Sequence, residues 1–328
     1  MEACLSGLGF GAALTAAGLA QSSVVALQMR LQDWHLLQSF CSATVFTGVI
    51  YALANRLGYV KLQPRSSSPL GLFATYDGNI LGGALLGVGM AISASGPELA
   101  LAQAAAGVPH GFYAAAGGVL GGILWSGFLA GLAKRCKQAA QVKPEVVTIN
   151  QSLGLSYRIT LLILGFVWSS GMVLLQTSSL AENWWPVLGG LFISASQLLS
   201  ILRRRSMVGI SGAYEEVGNH FWSSLRGQTS SITLSSSQNC IFGLGTVCGA
   251  WLTAALEPSL VTGKPFTTSP LTAVLGGVLM IVGSRLAGGC TSGHGLSGLA
   301  LLSTSSLVTM ATAFSTPILL GGLTSANF

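Results

Sequence analysis

Charge is what this chain has least of. Only 7% of its 328 residues are Asp, Glu, Lys or Arg, against roughly 25% in an ordinary soluble domain, which excludes water as the main solvent. Cysteine is sparse as well. Cys4, Cys41, Cys136, Cys240, Cys248 and Cys290 form no CxxC pair and no metal-ligand spacing, so no disulfide framework, zinc site or cofactor is expected. The opening Met1-Glu2-Ala3-Cys4 has no basic region. This argues against a cleavable signal peptide and makes the apolar stretch behind it the expected first span.

Apolar residues and glycine fill the space, at 51% hydrophobic with 44 Gly. The glycines sit inside long apolar runs, where close helix packing and helix breaks use them. Gly118 with Gly122, Gly127 with Gly131 and Gly245 with Gly249 have the small-xxx-small spacing. A span needs about 20 predominantly apolar residues. Segments of that kind lie near 3–27, 36–57, 71–95, 111–133, 156–178, 184–202, 238–256, 271–288 and 305–323. Four stretches, near 20–34, 96–110, 206–228 and 289–304, are too polar or Gly-broken to span and too apolar for ordinary loops. The expected fold is therefore an all-α polytopic membrane protein of about nine transmembrane helices with four re-entrant short helices. Such irregular backbone survives at membrane depth only when buried in protein or lining a watery cavity.

Counting the spans alternately puts Arg56, Lys61, Arg65, Lys134, Arg135, Lys137, Lys143, Arg158, Arg203, Arg204, Arg205 and Arg226 on one side. Arg30 and Lys264 fall opposite, and Arg285 falls within a span. The positive-inside rule makes the basic side cytoplasmic, with the N-terminus inside and the C-terminus outside. The net charge of +6 then follows from topology and gives no reason to invoke nucleic acid. Trp184 and Trp185 suit an interfacial anchor.

Residues 80–89 align without gaps on 274–283, and each run leads into a Gly/Ser-rich break and another apolar helix. The expected organisation is a first transmembrane half (1–134), a basic cytoplasmic linker (135–155) and a second half (156–328), forming an inverted pseudo-repeat. In such architectures solute sites lie where broken helices meet near the midplane.

Chemistry concentrates in Gly288-Gly289-Cys290-Thr291-Ser292-Gly293-His294-Gly295. Gly289 and Gly293 let the backbone approach a solute. Cys290, Thr291 and Ser292 would form the first turn of a short helix, whose free N–H groups and dipole suit an anion. Arg285, one turn earlier, is expected to add a full positive charge. The thiol of Cys290 is a weak donor that can touch a soft sulfur anion and release it, as a conducting site must. His35, His110, His220 and His294 fall in or beside the four breaks, where a pathway-lining role and ordinary satisfied histidines are both open. Glu98 and Gln103 would mark the outer entrance, the acid pairing with a base. Glu215 and Glu216 beside His220 read as a solvated rim cluster.

This signature, preceded by Gly283-Ser284-Arg285-Leu286-Ala287, resembles that of the YeeE/YedE sulfur-transport family, whose characterised members take up thiosulfate. Residues 188–212 resemble the start of the family's signature-bearing half. Residues 9–21 resemble the partner half, found as a separate small protein in some members, so the two half-size members are fused here. The resemblance implies a nine-span, inverted-repeat transporter with cysteines along a central pathway. The family's first-half break carries a Cys-Pro pair, whereas this chain reads Ala94-Ser95-Gly96-Pro97-Glu98, with Gly96 where the cysteine would stand. Gln21-Ser22-Ser23 in the first re-entrant segment has no thiol either.

The expected function is a transporter or channel for a small sulfur-containing anion, thiosulfate first among them, in the plasma membrane. Its path would be lined by Cys290, Thr291, Ser292, His294, Arg285, Gly289, Gly293, Ser95, Gly96, Pro97, Gln21 and Ser22. No enzyme activity and no metal are expected, the lipid bilayer is the expected surrounding, and a homo-oligomer stays open. The alternative is a membrane sulfurtransferase or thiol oxidoreductase using Cys290, with His294 as its base.

Overall fold

The computed structural model describes residues 1–174, 184–228, 233, 237–262, 266 and 268–324, without the side chains of 172–174 and 320–324. Among the described residues the chain is helical throughout, and its only β-type pairing is an isolated bridge between Thr148 and Ser303. The order is α1 Glu2–Ala16, α2 Ser22–Met29, α3 His35–Arg56, α4 Asp77–Ser93, α5 Pro97–Ala105 and α6 Pro109–Leu124. A π-helical turn then leads into α7 Ala130–Ala140, followed by α8 Ile149–Ser152, α9 Tyr157–Leu174, α10 Trp185–Arg204, α11 Ser211–Leu225 and α12 Gln238–Leu256. The chain closes with α13 Pro270–Ala287, a π-helical segment Ser292–Gly298, and α14 Thr304–Thr324. Prolines open α5, α6, α10 and α13, where the missing N–H costs no bond and the fixed φ suits a first turn.

Among the described residues, six stretches are long and apolar enough to cross a membrane: His35–Arg56, Asp77–Ala105, Pro109–Ala140, Trp185–Arg204, Gln238–Leu256 and Pro270–Ala287. The expected first span, 3–27, is instead two helices, because α1 stops at Ala16 and the chain turns through Gly18 at φ +74° before α2. Short helices stand in each of the four stretches read as re-entrant: α2, α5, α11 and the Ser292–Gly298 segment. The end of the fifth expected span, 175–178, and Lys264 lie outside the described residues.

Polarity runs opposite to a water-soluble protein. Leu162, Phe166, Leu256 and Leu271 point outward, each about 70% exposed, while Asn79, Glu98, Gln103, Gln197 and His294 are fully buried. Glycine lets the helices meet backbone to backbone. A Cβ on Gly11 would strike the Thr246 carbonyl and one on Gly249 the Leu8 carbonyl, so α1 and α12 close from both sides. Gly82 and Gly283 do the same between α4 and α13, each built Cβ falling 2.5 Å from the other's carbonyl oxygen. Gly122 packs under Tyr214, but Gly131 faces open space, so not every glycine with the small-xxx-small spacing makes a close contact.

The contacts pair up under exchange of the two ends of the chain. Helix α1 lies on α12 as α10 lies on α3, and α4 lies on α14 as α13 lies on α6. Helix α5 rests on α12 as the Ser292–Gly298 segment rests on α3, while α1 meets α10 and α4 meets α13.

Candidate functional site

Each of the four breaks begins with a residue in the left-handed region: Gly18, Ala94, Arg205 and Gly288. A left-handed residue ends a helix abruptly and lets the next one start in a new direction. Three of these breaks converge. The Thr291 hydroxyl donates to Glu98 Oε1 at 2.5 Å, joining the break after α13 to the first turn of α5. The Ile210 N–H, just before α11, reaches Ser292 Oγ at 3.4 Å. A Cβ on Gly96 would lie 3.7 Å from Thr291 Oγ1.

Cys290, Ser292 and His294 are fully buried at this meeting point, and Thr291 is 1% exposed. Cys290 Sγ lies 3.1 Å from Ser292 Oγ. Ser95 is buried with its hydroxyl on the Gly96 carbonyl at 3.3 Å, and Pro97 is buried with its carbonyl accepting from Tyr214 at 2.9 Å. Gln21 and Ser22 belong to the fourth break. Ser22 is buried, and Gln21 donates to the Leu260 carbonyl at 3.0 Å on the wall of a separate cavity of about 330 Å³, shared with Gly18, Asp33, His35 and Trp185.

The positive charge at the signature comes from a residue that sequence reasoning placed on the cytoplasmic rim. Arg65, in the connection between α3 and α4, donates from Nε to the Gly293 carbonyl at 2.7 Å and from Nη1 to the Gly288 carbonyl at 2.8 Å. Gly289 and Gly293 make room for it, since a Cβ there would come within 2.9 Å and 2.8 Å of the guanidinium. Burial lowers the guanidinium from its ordinary value, but arginine starts so high that it keeps its charge. The Arg65 carbonyl in turn accepts from Ser303 and Ser305 at 2.8 and 3.0 Å. Arg285, expected at the site, forms an ion pair with Glu215 instead.

His294 is held on both sides, by Ser306 Oγ at 2.8 Å on Nδ1 and by the Ala287 carbonyl at 3.2 Å on Nε2. Burial first, and the Arg65 charge second, push its imidazole well below the ordinary range, which keeps it neutral. His35, His110 and His220 are bonded to the Ala17 carbonyl, the Thr268 N–H and Ser237 respectively. Glu98 and Gln103 are wholly buried, so neither marks an open entrance. A further network was not legible in the sequence. Gln197 accepts from Tyr51 at 3.1 Å and from the Val208 N–H at 3.2 Å, and it donates to Ser297 at 3.0 Å. Ser297 closes the loop by donating to the Val208 carbonyl at 2.9 Å.

Glu216, His220 and Cys240 have ligand atoms within 4.8 Å of one another. Hydrogen bonds already use them: Glu216 accepts from Asn239 at 2.9 Å and the Cys240 N–H at 2.6 Å, and His220 pairs with Ser237 at 3.0 Å. The group is a polar strut between α11 and α12. At the signature, a thiol, two hydroxyls and N–H groups converge. Such an arrangement can hold a small anion weakly, and the Glu98 carboxyl stands on its opposite wall.

A helical chain that is apolar outside and polar within is an integral membrane protein. The family described as sulphur transport matches residues 21–319, and the chain belongs to this family, the YeeE/YedE family that its signature resembles. Two probable transporters of Xylella fastidiosa, from strains Temecula1 and 9a5c, are 32% and 30% identical to the chain over 149 residues. That alignment takes in 45% of this chain and 96% of each relative.

Proposed function

We propose that this membrane transporter carries a small sulfur-containing anion inward, thiosulfate in the first instance. Its path runs where Cys290, Thr291 and Ser292 meet Ser95, Gly96 and Pro97. The contact between Thr291 and Glu98 carries this reading, because it joins breaks from the two ends of the chain at one buried point. The exchange pattern of helix contacts supports two halves of inverted topology, the first at 1–134 and the second at 156–328, joined through the basic segment 135–155. Nine spans with four re-entrant short helices and a cytoplasmic N-terminus fit that plan, and the plasma membrane is the proposed location. Hydroxyls and a single thiol bind without trapping, as conduction requires.

The sulfurtransferase alternative lacks support at its base, since both ring nitrogens of His294 are engaged by Ser306 and Ala287. The test is uptake of radiolabelled thiosulfate, sulfide and sulfate into proteoliposomes by the native chain and by Cys290→Ala. Thiosulfate uptake that falls severalfold in the variant supports the path. Equal uptake by both removes Cys290 from it, and a stable sulfur adduct on Cys290 after exposure to a donor would favour the enzyme.

A further inference from the structure

Two buried carboxyl groups in this chain are treated very differently. Asp77 has both oxygens satisfied by backbone donors, with the Leu70 and Gly78 N–H groups on Oδ1 at 2.5 and 2.7 Å and the Leu72 N–H on Oδ2 at 2.7 Å. Glu98 is equally sealed from solvent, yet while Oε1 accepts from the Thr291 hydroxyl at 2.5 Å, Oε2 is buried with no hydrogen-bond partner. The ion pairs among the described residues, Arg203 with Glu2 and Arg285 with Glu215, supply it with no cation. A purely structural carboxyl would ordinarily have both oxygens bonded, because a buried polar atom left without a partner costs about 1–3 kcal/mol.

The groups around Glu98 are those that would receive a small oxyanion. They are the Thr291 hydroxyl, the Ser292 N–H and hydroxyl that face the carboxyl, and the first turn of the nine-residue α5 with its positive dipole end. Cys290 Sγ stands 3.1 Å from that same Ser292 hydroxyl. We infer that the Glu98 carboxyl group is a resident stand-in for the solute: its oxygens occupy the oxyanion position at Thr291 and Ser292, and the solute enters as the carboxyl leaves. The half-satisfied bonding suits this role, since an occupant with one oxygen unbonded is displaced more readily than one held as Asp77 is. The inference rests on the proposal that residues 290–292 line the path, and it adds an access-controlling residue on the opposite wall.

The test reads the solute-independent exposure of the thiol. The native chain, Glu98→Ala and Glu98→Gln are treated with a small anionic methanethiosulfonate, and modification of Cys290 is followed by peptide mass mapping, with monodispersity and thermal melting as fold controls. Glu98→Ala is expected to label about tenfold faster, the equivalent of about 1.4 kcal/mol, and added thiosulfate is expected to slow it. Glu98→Gln keeps the shape and an acceptor for Thr291, serves if the alanine variant does not fold, and is expected to fall between the two. Equal labelling rates in the folded variants overturn the inference. Faster labelling with no thiosulfate uptake by any variant leaves Glu98 as the occupant and overturns the choice of solute.

Discussion

The breaks at 94–98 and 288–298 are the same device built with different chemistry. Both follow a helix that ends on a left-handed residue, Ala94 or Gly288. Carrying the register of residues 80–89 on 274–283 forward sets Gly96 against Cys290 and Glu98 against Ser292. The later break holds a thiol and two hydroxyls and is clamped by Arg65 through two carbonyls. The earlier one offers a carboxyl and an extended glycine, Gly96 at φ −119°, where a Cβ would sit in ordinary contact with Leu99 and Thr291 at 3.7 Å. The turn is therefore what the fold demands, and the side chains placed on it are free to diverge. The cost is visible at Ala94, a buried alanine held left-handed, a conformation that is about 1–2 kcal/mol unfavourable for a residue with a Cβ.

The comparison is most easily broken at Gly298. A Cβ there would strike Ser306 Oγ, which cannot yield without losing His294. Gly298→Val is expected to destabilise the purified protein by about 2–3 kcal/mol, seen as a lowered melting temperature in detergent. Next comes Arg65→Ala, which strips the donor from the Gly288 and Gly293 carbonyls and should cost about 2 kcal/mol. Arg65→Lys should recover only part of this, since an ammonium lacks the planar fork. Ser306→Ala removes one partner of His294 and should cost about 1 kcal/mol. The smallest change sharpens the contrast: the Cβ of Gly96→Cys meets nothing closer than 3.7 Å, so the variant should melt within about 0.5 kcal/mol of the native chain while raising thiosulfate uptake. Unchanged or reduced uptake in that folded variant would show that the missing thiol does not limit transport.

Much of the plan was legible from residue types. Six expected spans coincide with long apolar helices, and the short helices stand where Gly and polar residues interrupt apolar runs. Cys290, Thr291 and Ser292 do come together with Gly96 and Glu98. The break was expected from about residue 20, but its start at Gly18 was hidden because residues 16–20 carry no polar side chain, and hydropathy does not record a backbone dihedral. Arg65 was hidden for another reason. Its partners are main-chain carbonyls, which carry no sequence signal, and a charge count assigns every arginine outside a span to the rim. Arg285 was the converse: its neighbourhood to the motif in sequence suggested the site, while Glu215, seventy residues earlier in the chain, holds it elsewhere.

The exchanged contacts between the two ends of the chain also bear on biogenesis. Since α1 closes on α12 and α3 on α10, glycines such as Gly7 and Gly11 on α1 are covered by a helix more than 200 residues later in the chain. The ribosome delivers α1 and α3 well before α12 and α10 exist, so these early helices must wait in the bilayer, lipid against exposed backbone, until the later ones arrive.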